Sequence, residues 1–218
     1  MDVLLIIDVQ QGVMKATHHQ QPQVLANINR AAAHVRQHHG RVIYIQHDDL
    51  PGGELEPGTP GWQLHPALQP AKGDSRVRKT ACDSFLETEL AFLLAEQSVD
   101  RLILCGSNTD FCVDTTVRSA AAHGFEVLVL QDGHTTADRP HLSAEKIIEH
   151  HNWMWRHLDL PEGRSITLLT TDQLLDEPRH RGPGQADRVG DLGPGRTARI
   201  VEDLPQDEGK ARLRKAPT

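Results

Sequence analysis

The chain alternates short unbroken apolar runs with longer stretches in which apolar residues recur every three or four positions. Residues 3–7 are wholly apolar, which is the texture of a strand buried on both faces. Over residues 22–39 the apolar positions Val24, Leu25, Ile28, Ala31, Ala32 and Val35 follow helical spacing, and Gly40 stands where such a helix closes. Further strands are predicted at 41–46, 77–79, 101–105, 126–130 and 165–169, and further helices at 87–97, 110–123 and 142–158. Strands alternating with helices imply βαβ units. The expected fold is α/β: a doubly wound, mostly parallel sheet with helices on both faces.

Two stretches break this rhythm. Residues 48 to 75 carry no periodicity and are rich in Gly and Pro, and so long a loop in a compact domain is usually functional. From Asp176 onward the last 43 residues hold 11 Gly or Pro and no aromatic residue. Such a segment buries too little apolar surface to offset its ordering entropy. The expected organisation is therefore one domain over residues 1–175 and a disordered tail over 176–218.

Composition narrows the partners. A net charge of −7 argues against nucleic acid, which needs a basic surface. No apolar run reaches the 18 or so residues of a membrane span. The start lacks a basic region ahead of its apolar run, so no signal peptide is expected. Three cysteines make no disulfide framework, and a reducing cytoplasm is the expected setting. The 14 histidines include the pairs His18-His19, His38-His39 and His150-His151, which read as solvated surface.

The chemistry concentrates at predicted strand ends, where ligands of an open α/β sheet bind. Asp8 ends the first strand, His47 follows the second, Lys79 the third, and Cys112 lies just past the fourth. In Gly106-Ser107-Asn108-Thr109-Asp110-Phe111-Cys112-Val113, Thr109 is placed to cap the helix and Cys112 falls in its first turn, where the helix field favours thiolate. An activated thiol needs a proton acceptor and a cation, which Asp8 and Lys79 supply. Cys105 lies inside an apolar strand and reads as an inert core thiol. Cys82 sits beside Asp83, a carboxylate that would raise its pKa. Without a Cys-x-x-Cys pair, thiol redox chemistry is disfavoured.

Three stretches together resemble the motifs of the isochorismatase-like cysteine hydrolases: Asp8-Val9-Gln10, Lys79 with Ser84-Phe85, and Gly106 through Val113. Gly58-Thr59-Pro60-Gly61-Trp62, His65-Pro66 and Val129-Leu130-Gln131-Asp132 fit the same pattern, so the resemblance covers roughly residues 1 to 175. It implies a three-layer sandwich and a catalytic Asp8, Lys79 and Cys112. It also implies a cis peptide at Ser107-Asn108, which sets the Asn108 amide beside that of Cys112 to receive an oxyanion. The expected reaction is hydrolysis of a C–N bond in a small amide, imide, lactam or carbamoyl compound through a thioester. No organic cofactor is expected, and a homo-oligomer, dimer or tetramer, is implied. Gln10, Trp62 and His134 are the substrate-contact candidates. Trp62 either walls the pocket or anchors its loop, and His134 either faces the crevice or caps the next turn.

Two alternatives share the fold. The nicotinamidase branch uses a metal held by an Asp-x-His after the second strand. Here that place reads His47-Asp48-Asp49, out of the usual order, so no metal is expected. The other alternative is a small-ligand-binding protein without catalysis.

Overall fold

A computed structural model of the chain describes residues 1–177; the tail expected to be disordered falls, but for its first two residues, outside the described residues. Six parallel strands form one sheet in the order β3-β2-β1-β4-β5-β6. They are β1 (Asp2–Ile7), β2 (Arg41–His47), β3 (Ser75–Lys79), β4 (Arg101–Ser107), β5 (Glu126–Thr135) and β6 (Ile166–Leu169). Strand side chains alternate between faces, so each buried strand feeds two cores. Val3, Leu5, Ile7, Ile43, Ile45, Leu102, Leu104, Val127 and Val129 pack with α2 (Leu90–Ala95), α3 (Asp114–Ala122) and α4 (Ala144–Arg156). Leu4, Ile6, Val42, Tyr44, Ile103, Leu128 and Leu130 pack with α1 (Gln21–Gln37) and α5 (Thr171–Asp176). This is the doubly wound sandwich that the alternating pattern predicts.

The differences from the expected elements have local causes. The helix expected over 87–97 is only α2, because Glu87 takes a positive φ of 54° and Thr88 bonds back to the Ser84 carbonyl. At the end of α1 the left-handed residue is His39 (φ 61°), not Gly40, although the Gly40 amide does bond back to the Val35 carbonyl. The helix expected from 110 begins instead as a π turn, Thr109–Val113, which passes into α3. Thr109 does not cap it; its hydroxyl bonds His134. β5 runs to Thr135 past a register shift, pairing His134 with Gly106 and Thr135 with Ser107. The helix α5 is new, and its start carries a capping box between Thr170 and Gln173. None of the described helices is long and apolar enough to cross a membrane.

At the carboxyl ends of β1 and β4, Ile7 lies opposite Gly106. Gly106 has φ +126°, and a Cβ there would stand 2.1 Å from the Ile7 carbonyl oxygen. Any side chain would push apart the two strands that carry Asp8 and Cys112. Gly106→Ala is expected to cost about 3 kcal/mol or more, combining a forbidden φ with overpacking. Urea denaturation of the variant checks this, and a loss under about 1 kcal/mol would contradict it.

Candidate active site

Four adjacent strand ends deliver the site. Asp8 follows β1 in a left-handed turn (φ 50°), a conformation Asp tolerates better than most residues, and its amide bonds the Ile45 carbonyl at 3.1 Å. His47 closes β2, Lys79 closes β3, and Cys112 lies in the π turn after β4. Lys79 Nζ donates to Asp8 Oδ2 at 2.6 Å, to the Ala81 carbonyl at 2.9 Å and to His47 Nδ1 at 3.2 Å. The Lys79 and Asp8 side chains are 0% and 3% exposed, so this ion pair is held away from water. A carboxylate oxygen of Asp8, Cys112 Sγ and a ring nitrogen of His47 lie within 4.8 Å of one another. Asp8 Oδ1 has no hydrogen-bond partner among the described residues.

The electrostatics of this cluster run against a resting thiolate. Burial pushes the Asp8 carboxyl up, and the Lys79 ammonium offsets only part of that. Burial works hardest against the Lys79 ammonium, but Asp8 and Cys112, by charge and hydrogen bonding together, outweigh it and hold the amine protonated. The Cys112 thiol is pushed up by burial and then by Asp8, more than Lys79 brings it down. The sequence-based expectation of an ionised sulfur is therefore corrected. It counted the helix start and the cation but omitted desolvation. The arrangement instead holds a protonated thiol next to a carboxylate of raised basicity. Cys105, wholly buried in β4, is pushed up by burial alone, in keeping with an inert core thiol.

The substrate-contact candidates turn out to be largely occupied. The buried Gln10 amide accepts from the His47 backbone N–H at 2.8 Å and donates to the carbonyls of His47 (2.9 Å) and Trp62 (3.0 Å). It is a clasp between β2 and the long loop, with no atom of its amide left idle. Trp62 is the anchor of that loop: its indole N–H donates to Asp48 Oδ1 at 2.7 Å, and Arg78 lies over its ring. Residues 61–65 run beside 9–12 through bonds from Gln11 to Gln63, Gly12 to Gly61 and His65 to Val9. His134 does not face the crevice. It is buried, with Nδ1 on Thr109 Oγ1 (2.9 Å), Nε2 on Asn152 Oδ1 (3.0 Å) and its ring edge-on to Trp155.

The Ser107-Asn108 peptide is cis. The Asn108 carbonyl accepts from the amides of Phe111 and Val113, which closes the turn that carries Cys112. The Asn108 side chain is fixed by Ser107 Oγ at 2.9 Å and by His18 Nε2 at 2.7 Å, while His18 Nδ1 meets the Ala16 carbonyl. His18 is thus buried at the site and not solvated surface as its pairing with His19 suggested. No spacing in the sequence marks it, because residues 13–20 reach the site by a path with no regular element beyond one short turn. Asp110 is gripped by Arg139 at 2.8 and 2.9 Å and by Thr136 at 2.7 Å. These bonds outweigh its partial burial and hold its carboxyl below the usual range.

A nicotinamidase-type metal set does not form at residues 47–49. Both Asp48 oxygens are engaged, by Trp62 and by Arg78. Asp49 Oδ2 accepts the Leu55 amide, and its Oδ1 lies 3.8 Å from His47 Nε2. One Asp-His contact without Asp48 is not a metal cage.

Residues 2–172 match the family model of the isochorismatase domain, and the chain belongs to that family. Among its relatives, a streptothricin hydrolase of Streptomyces noursei is 34% identical over 139 residues, covering 63% of this chain and 50% of the relative. The chain thus spans about half the length of that curated relative. The uncharacterized isochorismatase family protein YddQ of Bacillus subtilis is 29% identical, covering 79% of this chain and 97% of its own length. A crystal structure of an isochorismatase family protein is 37% identical with a TM-score of 0.70, covering 78% of this chain and 98% of that one.

Two measurements check the electrostatics. Alkylation of Cys112 by iodoacetamide is expected to keep accelerating through about pH 9, as a raised thiol pKa requires; a plateau near neutrality would contradict it. Burial holds His134 neutral, with its pKa lowered from 6.5 to about 4. The unfolded chain then binds the extra proton first, so this contribution is intact above 6.5 and is lost as pH falls toward about 4. The loss is on the order of 3 kcal/mol. Urea denaturation near pH 7 and near pH 4.5 should show a smaller acid sensitivity in His134→Gln than in the parent, and equal sensitivity would contradict the assignment.

Proposed function

We propose that the protein is a cysteine hydrolase that cleaves a C–N bond of a small amide, lactam, imide or carbamoyl compound through a thioester on Cys112. The observation that carries this reading is the buried Asp8–Lys79 ion pair beside the Cys112 sulfur. A buried ion pair is costly to assemble, and a strained left-handed aspartate adds to that cost. Such an arrangement fits a site whose chemistry uses both charges. The relative named for streptothricin hydrolysis supports the reaction class.

In this mechanism sulfur attacks the carbonyl carbon as its proton passes to Asp8. Attack and proton transfer are coupled, because a protonated thiol is a poor nucleophile and a raised Asp8 is the better acceptor. Lys79 stays charged throughout. It balances Asp8 before the transfer and the growing negative charge on sulfur and oxygen during it. The backbone amides of Asn108 and Cys112 receive the oxyanion, where one donor contributes about 3–4 kcal/mol to the transition state. Collapse expels nitrogen, which leaves as ammonia or an amine with the proton returned by Asp8. Asp8 then takes a proton from water as the hydroxide so formed attacks the thioester, and on collapse it returns that proton to the departing sulfur, which frees the acid and regenerates the thiol.

Ammonia or amine release over a panel of small amides, lactams and carbamoyl compounds, with streptothricin among them, identifies the substrate. Cys112→Ala is expected to lower turnover at least about 10⁴-fold while its thermal melt stays near the parent's, because Cys112 is only partly buried. Turnover in this variant within tenfold of the parent would overturn the reading. A folded protein that binds panel members without consuming them would favour the non-catalytic alternative.

A further inference from the structure

The cluster of Asp8, His47 and Cys112 holds one donor of each type that a thiophilic cation takes: a carboxylate oxygen, an imidazole nitrogen and a sulfur, all within 4.8 Å of one another. Among the described residues it is the one such grouping of Cys, His, Asp and Glu side chains. Ligand atoms around a tetrahedral zinc ion stand roughly 3.3–3.6 Å apart. The contraction needed is about an ångström, and the half-buried His47 side chain, 22% exposed against 3% for Asp8, has the freedom to supply much of it. A second observation points the same way. Asp8 Oδ1 is buried with no hydrogen-bond partner, on a residue 2% exposed. The Gln10 clasp meanwhile holds the His47 backbone through both its N–H and its carbonyl, so the imidazole is delivered to this place by a fixed strand end.

We propose that this crevice binds one thiophilic divalent cation of the Zn²⁺ type through Cys112 Sγ, His47 and Asp8, with water as fourth ligand, and that occupancy switches hydrolysis off. The sulfur gives its proton to solvent as the metal–sulfur bond forms, so one proton is released per ion bound. Asp8 Oδ2 keeps its bond to Lys79, and the unpartnered Oδ1 is the oxygen left for the cation. Hard ions such as Mg²⁺ and Ca²⁺, which prefer oxygen cages, gain nothing from a sulfur–imidazole pair and are not expected to compete. The inhibition rests on Cys112 being the nucleophile, whereas the binding does not.

The test titrates chelator-stripped full-length protein with ZnCl₂ against a chromophoric zinc indicator. One tight site per chain is expected, strengthening as pH rises, abolished in Cys112→Ala and weakened at least tenfold in His47→Ala and His47→Gln. Weak sites on exposed histidines survive in all variants and so do not mimic this pattern. Zn²⁺ is also expected to shield Cys112, but not Cys82, from iodoacetamide, and EDTA to restore both alkylation and hydrolysis. Affinity unchanged in both His47 variants would overturn the proposal, since the thiol alone would then be the ligand. A tight, His47-dependent site that leaves hydrolysis untouched would overturn the switch and also count against Cys112 as nucleophile. Hydrolysis abolished in Cys112→Ala, with no tight zinc site in the parent, would sink the metal site and leave the proposed reaction standing.

Discussion

An aspartate and a lysine in direct contact, both almost wholly removed from water, set the terms for this molecule's carboxyl edge. Neither ion is tolerable there alone, because removing one partner of a buried pair leaves an uncompensated charge worth about 3–5 kcal/mol. Their positions therefore constrain the backbone on three strands at once. β1 ends in a left-handed turn at Asp8 and β3 stops at Lys79, while β2 between them supplies His47; separately, β4 lies so near β1 that only glycine fits at 106. The remaining donors of the ammonium go to Ala81 and His47, which binds the segments after β3 and β2 to the same centre.

Much of the fold was legible because the sheet is buried on both faces. Strands in that setting are unbroken apolar runs, and the flanking helices show one apolar stripe each, so residues 3–7 and 22–39 announce themselves. What was not legible depends on single side chains or on partners far along the chain. The capping box at Thr170 was readable and marks the start of α5, but the apolar content of that short helix gave no periodicity. The π turn over Thr109–Val113 follows from tertiary bonds of Asp110 to Arg139 and Thr136, which a local helix reading does not contain.

The candidate site was legible in the same uneven way. Strand ends converge in a doubly wound sheet, so the positions of Asp8, His47, Lys79 and Cys112 follow from topology. Their protonation does not. Helix field and neighbouring cation are features of spacing, while desolvation depends on how completely the crevice is walled, and here desolvation wins. His18 reaches Asn108 by an irregular path, and His134 and Gln10 are polar residues whose hydrogen bonds are spent inside the protein. In each of these the residue type was informative and the partner was not.

Every atom of the Gln10 amide is committed to backbone groups, and backbone groups do not change when residues do. The stretch from 48 to 74 is thus fastened to β1 and β2 through its main chain, while its own side chains, Asp48, Asp49, Thr59 and Trp62 among them, hold it folded. Substitutions at the exposed positions between these bonds leave the carboxyl edge of the sheet where it is. The loop can therefore change at its surface without disturbing the strand ends it leans on.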